Sequence, residues 1–235
     1  IDHLINDVYE KKLVTQESEL RFLQSQINPH FMYNVLCSIA LMAQMDGNTD
    51  IQKMASNFAG LTQARLSGGG DVKIPLAQEL QYAKFYIELQ QMRFGEKISY
   101  QVSVSSEELL TCLVPKLIIE MLVENAVGHG IEPKDGAGTV HVSAGYAENG
   151  AIELVVSDDG VGFEGQNGEI PLPLDLPVSG NRHNRVALNT VYKIMQHLYG
   201  PAYGIHIISY EQIGTTVTIR LPREEIAYDQ SPDCR

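Results

Sequence analysis

The chain has 235 residues, 44% of them hydrophobic, with a formal net charge of −12 and a sequence pI of about 4.9. This length fits two modest domains, and the composition excludes a disordered chain. Because an acidic chain repels a phosphate backbone, the charge disfavours nucleic-acid binding. The cysteines Cys37, Cys112 and Cys234 are far apart and include no CxxC pair. They therefore argue against a disulfide framework and fit a reducing cytosol.

The first 70 residues predict a helical hairpin. Residues 1 to about 45 form one predicted helix, in which Leu13, Leu20 and Ile27 repeat every seven residues as in a coiled coil. After a turn at 46–48, a second amphipathic helix follows. Its predicted apolar face contains Ile51, Met54, Ala55, Phe58 and Leu61. A lone hairpin would expose a wide apolar stripe, which dimerisation into a four-helix bundle would bury.

The remainder alternates between helix and strand. Residues 67–71 (Ser-Gly-Gly-Gly-Asp) are the predicted linker. The predicted elements after it are a helix at 76–92 ended by Gly95, a strand at 98–104, a helix opened by Pro115 and running to about 127, a strand hairpin at 140–146 and 152–156, a long loop at 163–181, a helix at 186–198, and a closing hairpin at 203–210 and 215–221. This order predicts an α/β sandwich with a mixed sheet covered by helices on one face. The chain as a whole is predicted to be α+β.

A proline-histidine pair stands inside the first predicted helix, at residues 26–31 (Gln-Ile-Asn-Pro-His-Phe). Proline removes a helical hydrogen bond and crowds the preceding turn, so Pro29 predicts a kink that exposes His30. Neutral imidazole is a good nucleophile near pH 7, which makes His30 a candidate phosphate acceptor. A surface histidine beside a tolerated proline is the alternative for this pair taken alone.

Two further segments suggest a nucleotide site. Glu124 and Asn125 stand late in an otherwise apolar predicted helix, within the segment 122–130. The Asn125 amide oxygen could hold Mg²⁺, and the Glu124 carboxylate could act as a base. The alternative is a hydrogen-bonded helix end with glycine caps. Residues 158–162 (Asp-Asp-Gly-Val-Gly) follow a predicted strand, and Asp158 could accept a hydrogen bond from an exocyclic amine. The alternative there is a hairpin turn, and residues 214–219 alone predict only a strand.

Taken in order, these segments resemble the LytS-type sensor histidine kinases, whose ATP-binding domain belongs to the GHKL superfamily of gyrase, Hsp90, histidine kinases and MutL. The resemblance spans roughly residues 15–222. The segments that carry it are the phosphoacceptor stretch at 23–34, the Tyr-Ile-Glu and Arg-Phe segment at 80–94, the N box at 122–130 after Val114 and Pro115, the G1 box at 158–162, and the last hairpin at 214–222.

The resemblance implies roles for the site residues. His30 would attack the γ-phosphate of ATP, with Glu124 as the nearest candidate base. Asn125 would hold Mg²⁺, and Asp158 would bind the adenine amine. The remaining residues expected at the nucleotide are His129, Gly160, Gly162 and Thr216, under a lid at 163–186.

The chain departs from the family pattern after the lid. Where the family carries a Gly-x-x-Gly-Leu-x-Asn-Val type G2 box, both glycines are replaced, by Asn184 and Ala187, and the late asparagine by Thr190. A Cβ at each glycine position would hinder the approach of phosphates to the helix N-terminus. Arg182 and Arg185 are the candidate compensating phosphate clamps. Near His30, Cys37 stands where an asparagine is usual.

The resulting hypothesis is the cytoplasmic catalytic region of a bacterial two-component sensor histidine kinase. It would use ATP and Mg²⁺, form a homodimer, pass its phosphate to a response-regulator aspartate, and reach a membrane only through segments outside this sequence. The expected domains are 1–70 for dimerisation and phosphotransfer, 71–225 for ATP binding, and a tail at 226–235. A non-catalytic dimeric scaffold and another GHKL ATPase are the alternatives.

Overall fold

The computed structural model describes residues 29–66, 72–174 and 182–225, with the side chains of 29, 30, 66 and 182–185 left out. The predicted coiled-coil segment, the linker at 67–71 and the tail at 226–235 therefore lie outside the described residues. The chain divides into two compact units, Ile1–Gly68 and Gly69–Arg235. None of the helices that the structure describes combines the length and apolarity needed to cross a membrane.

The first unit contains the predicted helical hairpin. Helix α1 spans Pro29–Met45 and helix α2 spans Thr49–Leu66. The turn between them contains Gly47 at φ 71°, and the Asn48 Oδ1 accepts a hydrogen bond from the Ile51 N–H at 3.1 Å. This bond caps the start of α2. The turn residues therefore both reverse the chain and begin the second helix.

The helices of the hairpin meet through small residues. The hydrophobic residues buried there are Ala43, Ala55, Ala59, Leu61 and Ala64. Ile51, Met54 and Phe58, which were predicted on the same apolar face of α2, remain nearly half exposed at 46–47%. Apart from Leu61, the hairpin thus buries alanines and leaves most of its larger apolar side chains at the surface.

The second unit is an α/β sandwich. Its elements are β1 (Lys73–Pro75), α3 (Leu76–Phe94), β2 (Ile98–Val104), β3 (Leu113–Pro115), α4 (Ile118–Asn125), β4 (Gly138–Tyr146), β5 (Ile152–Asp158), β6 (Asn167–Ile170), α5 (Arg182–Tyr199), β7 (Gly204–Tyr210) and β8 (Gly214–Leu221). The main sheet has the order β2-β4-β5-β8-β7-β6, in which only β2 and β4 pair in parallel. The predicted α+β class with a mixed sheet is confirmed.

Alternate residues of the central strands form the core. Val140 and Val142 of β4 and Leu154 of β5 are buried together with Ile119 and Leu122 of α4. Their neighbours along the strands are only half-buried, as expected for a sheet covered by helices on one face. The side chains of each strand therefore divide between a helix-covered face and an outer face.

A two-stranded sheet of β1 and β3 was not predicted. Pro115 pairs with Lys73 in this sheet, so it ends a strand rather than opening a helix. The prediction of a helix beginning at Pro115 is therefore wrong by three residues, and the helix begins at Ile118. The reason is Leu117, whose φ of 65° lies in the left-handed region and breaks the chain between strand and helix.

The C-terminal end of the second unit joins this small sheet. The Leu113 N–H donates to the Glu224 carbonyl oxygen at 2.7 Å, and Cys112 forms a bridge with Glu225. The Lys73 Nζ lies 2.6 Å from Glu224 Oε2 and 4.5 Å from the centre of the Tyr199 ring. The first and last described parts of the unit are thus bonded to each other.

The predicted loop at 163–181 contains an additional strand. Asn167–Ile170 forms β6, which pairs with β7 at the edge of the main sheet. In β6 only Ile170 is buried, so the sequence lacked the alternation that reveals a strand. Helix α5 also begins four residues before the predicted position, at Arg182.

Candidate functional site

The end of α4 opens onto a cavity of about 760 Å³. After Asn125 the chain continues as a wider helical turn at Ala126–Ile131, which contains His129. The residues that line the cavity are Tyr86, Met121, Glu124, Asn125, Gly128, His129, Glu132, Val186, Ala187 and Thr190. Three of the predicted site residues, Glu124, Asn125 and His129, are thereby brought to one cavity.

Asn125 carries a buried polar atom without a partner. The residue is 8% exposed, and its Oδ1 accepts no hydrogen bond within the part of the chain that the structure describes. A buried acceptor left unpaired is costly, so this atom is a candidate to bind a water molecule or an ion. An amide oxygen is a ligand type that suits the hard cation Mg²⁺. The residues present therefore fit a Mg²⁺ ion held beside the cavity.

Asp158 ends β5 with its carboxylate held by main-chain donors. The Gly160 N–H donates to Asp158 Oδ1 at 2.9 Å. Burial raises the pKa of Asp158 to about 6, although hydrogen bonds from the Gly160 and Thr215 N–H groups act in the opposite direction. A nearly buried carboxylate with spare acceptor capacity can bind an exocyclic amine.

Glycines allow Asp158 to lie against the turn that follows α4. A Cβ added to Gly130 would lie 2.5 Å from Asp158 Oδ1, and one added to Gly160 would collide with the Gly130 main chain. Gly162 has a φ of 67° and packs on the Tyr210 carbonyl group. The N box and the G1 box are therefore in direct contact through glycine.

Thr215, rather than the predicted Thr216, lies beside Asp158. Thr215 is the cross-strand partner of Asp158, whereas Thr216 is opposite Ser157. Because successive side chains of a strand point to opposite faces, Thr216 points to the outer face of the sheet. Thr215 is buried, and its Oγ1 lies 3.0 Å from Ser209 Oγ. The strand register was the missing information, since the sequence offered two adjacent threonines.

Two polar side chains of the cavity, those of Tyr86 and Glu132, were not predicted to have a role. Tyr86 comes from α3, within the segment on which the family resemblance rests. Glu132 follows the turn after α4, and its Oε1 lies 3.5 Å from Arg93 Nη2. The Lys97 Nζ also donates to the Glu132 carbonyl oxygen at 2.8 Å. The Tyr86 signal was visible in the resemblance, but Glu132 had no motif to reveal it.

Two of the three substituted G2 positions lie at the same cavity. Ala187 and Thr190 both line it, and the Thr190 hydroxyl donates to the Val186 carbonyl oxygen at 2.6 Å. The side chains of Arg182, Asn184 and Arg185 lie outside the described residues, although their backbone forms the first turn of α5.

The end of the described lid is tied to α5. The Leu174 N–H donates to Asn189 Oδ1 at 3.0 Å.

His30 belongs to the first unit, where it is the second residue of α1. Its side chain is outside the described residues, so the predicted exposure of its ring stays a prediction.

Family comparisons cover most of the chain. Residues 18–98 match the family model described as "Histidine kinase", and residues 114–225 match "Histidine kinase-, DNA gyrase B-, and HSP90-like ATPase". The sensor histidine kinase YesM of Bacillus subtilis is 30% identical over 227 residues, which are 96% of this chain and 37% of that protein. The sensor histidine kinase YpdA of Escherichia coli is 31% identical over 211 residues, 90% of this chain and 35% of that protein.

The chain thus spans little more than a third of the length of these relatives. Among solved structures, the histidine kinase domain of the blue-light activated histidine kinase from Erythrobacter litoralis has 18% identity and a TM-score of 0.45, over 91% of this chain and 94% of that one. The family match at 114–225 identifies an ATPase domain of the histidine kinase, DNA gyrase B and HSP90 type, and a helical hairpin precedes it in the chain. The chain belongs to the sensor histidine kinases.

Proposed function

We propose that this chain is the catalytic region of a two-component sensor histidine kinase, in which His30 receives the γ-phosphoryl group of ATP. The observation that supports this most strongly is the buried, unpartnered Oδ1 of Asn125 beside a cavity of about 760 Å³. A cavity of this size suits a nucleotide. ATP use follows from the ATPase family match at 114–225.

The side chains that line the cavity and Asp158, which lies next to Gly130 in the turn after α4, would divide the work. The Asp158 carboxylate would accept a hydrogen bond from the adenine amine and thereby orient the base. Asn125 would hold Mg²⁺, which when bound neutralises charge on the phosphates. Glu124, at the cavity edge, would take the proton from the attacking imidazole, and His129 would contact the nucleotide. Arg182 and Arg185, at the start of α5, would hold the phosphates that glycine main chain holds in relatives.

The hairpin would form a homodimer. Its exposed large apolar side chains are Phe31, Met32, Val35, Ile39, Leu41, Met42, Met45, Ile51, Met54 and Phe58. So many apolar groups on two packed helices form a surface of the kind that marks a protein interface. A second hairpin would cover it in a four-helix bundle. The partner that then takes the phosphate from His30 would be a response-regulator aspartate.

These 235 residues would act on the cytoplasmic side, and any membrane attachment would come from segments outside this sequence. Domain bounds of 1–70, 71–225 and 226–235 would assign phosphotransfer and nucleotide binding to separate parts.

A non-catalytic scaffold is the second candidate. It is favoured by Ala187 and Thr190, whose side chains line the cavity where the family pattern has glycine and asparagine. A narrowed phosphate site would preserve the fold and the dimer without productive ATP binding.

The test is incubation of the 235-residue chain with γ-labelled ATP and Mg²⁺. A kinase acquires acid-labile label that His30→Ala abolishes. His206→Ala is the matched control, because His206 lies on β7 with its Nε2 3.0 Å from Glu169 Oε1 and is not among the residues that line the cavity. Calorimetry with a non-hydrolysable ATP analogue separates the candidates. If the chain binds the analogue in a Mg²⁺-dependent manner but acquires no label, the assignment of His30 as the acceptor is wrong. If the chain neither binds the analogue nor acquires label, the scaffold is supported.

A further inference from the structure

Glu79 is a fully buried carboxylate that the proposed function does not use. It lies in the first turn of α3 and is 0% exposed. Its Oε1 accepts a hydrogen bond from the Leu117 N–H, and its Oε2 accepts one from the Ile119 N–H at 3.0 Å. Both oxygens of one side chain thus hold main-chain groups about 40 residues further along the chain.

These two N–H groups belong to the start of α4. The first N–H groups of a helix have no partner within it and require a cap. The residue at the N-cap position is Leu117, whose side chain makes no capping bond. Glu79 therefore supplies the cap from another helix, because each of its carboxyl oxygens accepts a hydrogen bond from one of these N–H groups. The same carboxylate holds Leu117 at φ 65°, a conformation that costs a leucine energy.

Helix α4 connects this cap to the site. The helix has eight residues, from Ile118 to Asn125, and is about 12 Å long at 1.5 Å per residue. Ile118, Ile119, Leu122 and Val123 are fully or nearly fully buried, so the helix packs as a rigid body. A change in the direction of its first turn is therefore carried to Asn125 at its other end. Helix α3 additionally places Tyr86, two turns after Glu79, at the cavity.

We propose that Glu79 is a positioning residue, which fixes the direction of α4 and thereby places the Asn125 amide oxygen for its cation. The inference rests on the proposed function in that the cation is taken to be the Mg²⁺ of bound ATP. Glu79 touches neither nucleotide nor metal in this scheme, and acts through the main chain of Leu117 and Ile119. It links α3, which directly follows β1, to the helix that carries the metal ligand.

The first measurement requires no ligand. Hydrogen exchange in the ligand-free chain compares wild type with Glu79→Gln, in which an amide replaces one of the two acceptor oxygens. We expect amides 117–125 to exchange at least ten-fold faster, while β4 and β5 keep their protection. Glu96→Gln is the matched control, since it makes the same chemical change at an exposed residue just after α3.

The second measurement separates positioning from general stability. The affinity for an ATP analogue is measured with and without Mg²⁺, and the ratio of the two affinities is compared. We expect Glu79→Gln to lower this ratio at least five-fold while the affinity without Mg²⁺ changes less than two-fold. Glu79→Asp, which keeps both carboxyl oxygens on a shorter side chain, should recover part of the ratio.

An unchanged exchange rate at 117–125, or an unchanged Mg²⁺ ratio in a folded variant, overturns the proposal. Exchange that rises equally across β4 and β5 also overturns it, because that is the result of global destabilisation. If Glu79→Gln does not fold, Glu79→Asp is measured in its place against the same criteria. A wild-type chain that binds no nucleotide defeats the proposed function, whereas the exchange measurement still decides whether Glu79 holds α4.

Discussion

Gly130 and Asp158 are so close that a β-carbon on Gly130 would lie 2.5 Å from Asp158 Oδ1. This contact joins the turn after α4, next to the residue that would hold the metal, to the carboxylate that would hold the base. A nucleotide bound by both segments would thus contact two motifs that touch each other, so that neither motif can shift without the other.

Gly130→Ala should therefore disrupt the nucleotide site. Relieving the contact requires the main chain or the carboxylate to shift, at a cost of about 1–3 kcal/mol in stability. We expect affinity for an ATP analogue to fall at least ten-fold, measured by calorimetry. Gly145→Ala is the control, because its Cβ would lie an ordinary 3.7 Å from Ser105 Oγ. Equal affinity for the two variants would contradict this account.

Nucleotide binding should depend on the ionisation of Asp158. Its pKa is raised to about 6 by burial, and the charged carboxylate is the form that accepts the adenine amine hydrogen bond. Affinity should therefore be full above pH 7 and decline as the pH falls through about 6. Titrations of an ATP analogue from pH 5 to pH 8 measure this. Asp158→Asn should bind weakly with no such decline. A pH profile shared by both proteins would assign the dependence to another group.

Substitutions of the two adjacent threonines should differ in their effect on nucleotide affinity. Thr215→Val removes a hydroxyl on the Asp158 side of β8, and we expect a three- to ten-fold loss of affinity for adenine nucleotides. Thr216→Val makes the same change on the outer face of the sheet and should have less than a two-fold effect. Fluorescence titration with a labelled ATP analogue compares the variants. The reverse order would restore the original assignment to Thr216.

The exposed apolar surface of the hairpin predicts an association that one charge can break. Phe58→Glu adds a carboxylate to a side chain that is 46% exposed. If the hairpin forms a four-helix bundle, burying this charge costs several kcal/mol, and the chain should become monomeric by light scattering. Ser56→Glu, at an exposed polar position of α2, should leave the dimer intact. A wild-type monomer at micromolar concentration would remove the dimer proposal.

Stability should fall as the pH rises through the range in which Glu79 ionises. Burial raises the pKa of Glu79 to about 7 from 4.5, and the neighbouring Glu120 also raises it, whereas main-chain hydrogen bonds from Leu117, Ile119 and Ile118 lower it. In this interval the folded chain binds a proton that the unfolded chain has lost. The stabilising contribution is present below pH 4.5 and is lost by about pH 7, an effect of about 3 kcal/mol. Urea unfolding at several pH values measures it.

Glu79→Gln should lack that slope, which therefore appears in the difference in unfolding free energy between variant and wild type. Asp158, whose pKa is raised for the same reason, contributes a slope of the same sign to both proteins and cancels. A variant whose stability follows the wild-type pH dependence would show that Glu79 ionises at an ordinary pKa.

Much of the fold could be predicted from local patterns. Alternating residues gave β4 and β5, and Gly95 gave the end of α3, because periodicity and glycine caps are encoded within a few residues. The small sheet of β1 and β3 was not predictable in this way. Each of its strands has three residues, and their pairing across about 40 residues is decided by the packing of the unit.

The candidate site was predicted unevenly for the same reason. Glu124, Asn125 and His129 lie within six residues, so their common position followed from one helix. Thr215 required knowledge of the strand register, and Glu79 required the pairing of two helices. A buried carboxylate in an amphipathic helix gives no sequence signal that separates a distant cap from an exposed surface charge.

The bonds between Lys73 and Glu224 have a mechanical consequence. These residues are 151 positions apart in the chain, yet their side chains are bonded at 2.6–2.7 Å. The Leu113 N–H closes the same junction through the Glu224 carbonyl oxygen. A pulling force applied at residue 72 would therefore be borne by Glu224 as well as by α3. A truncation before Glu224 would remove these bonds, and the small sheet next to α3 would then be held by fewer contacts.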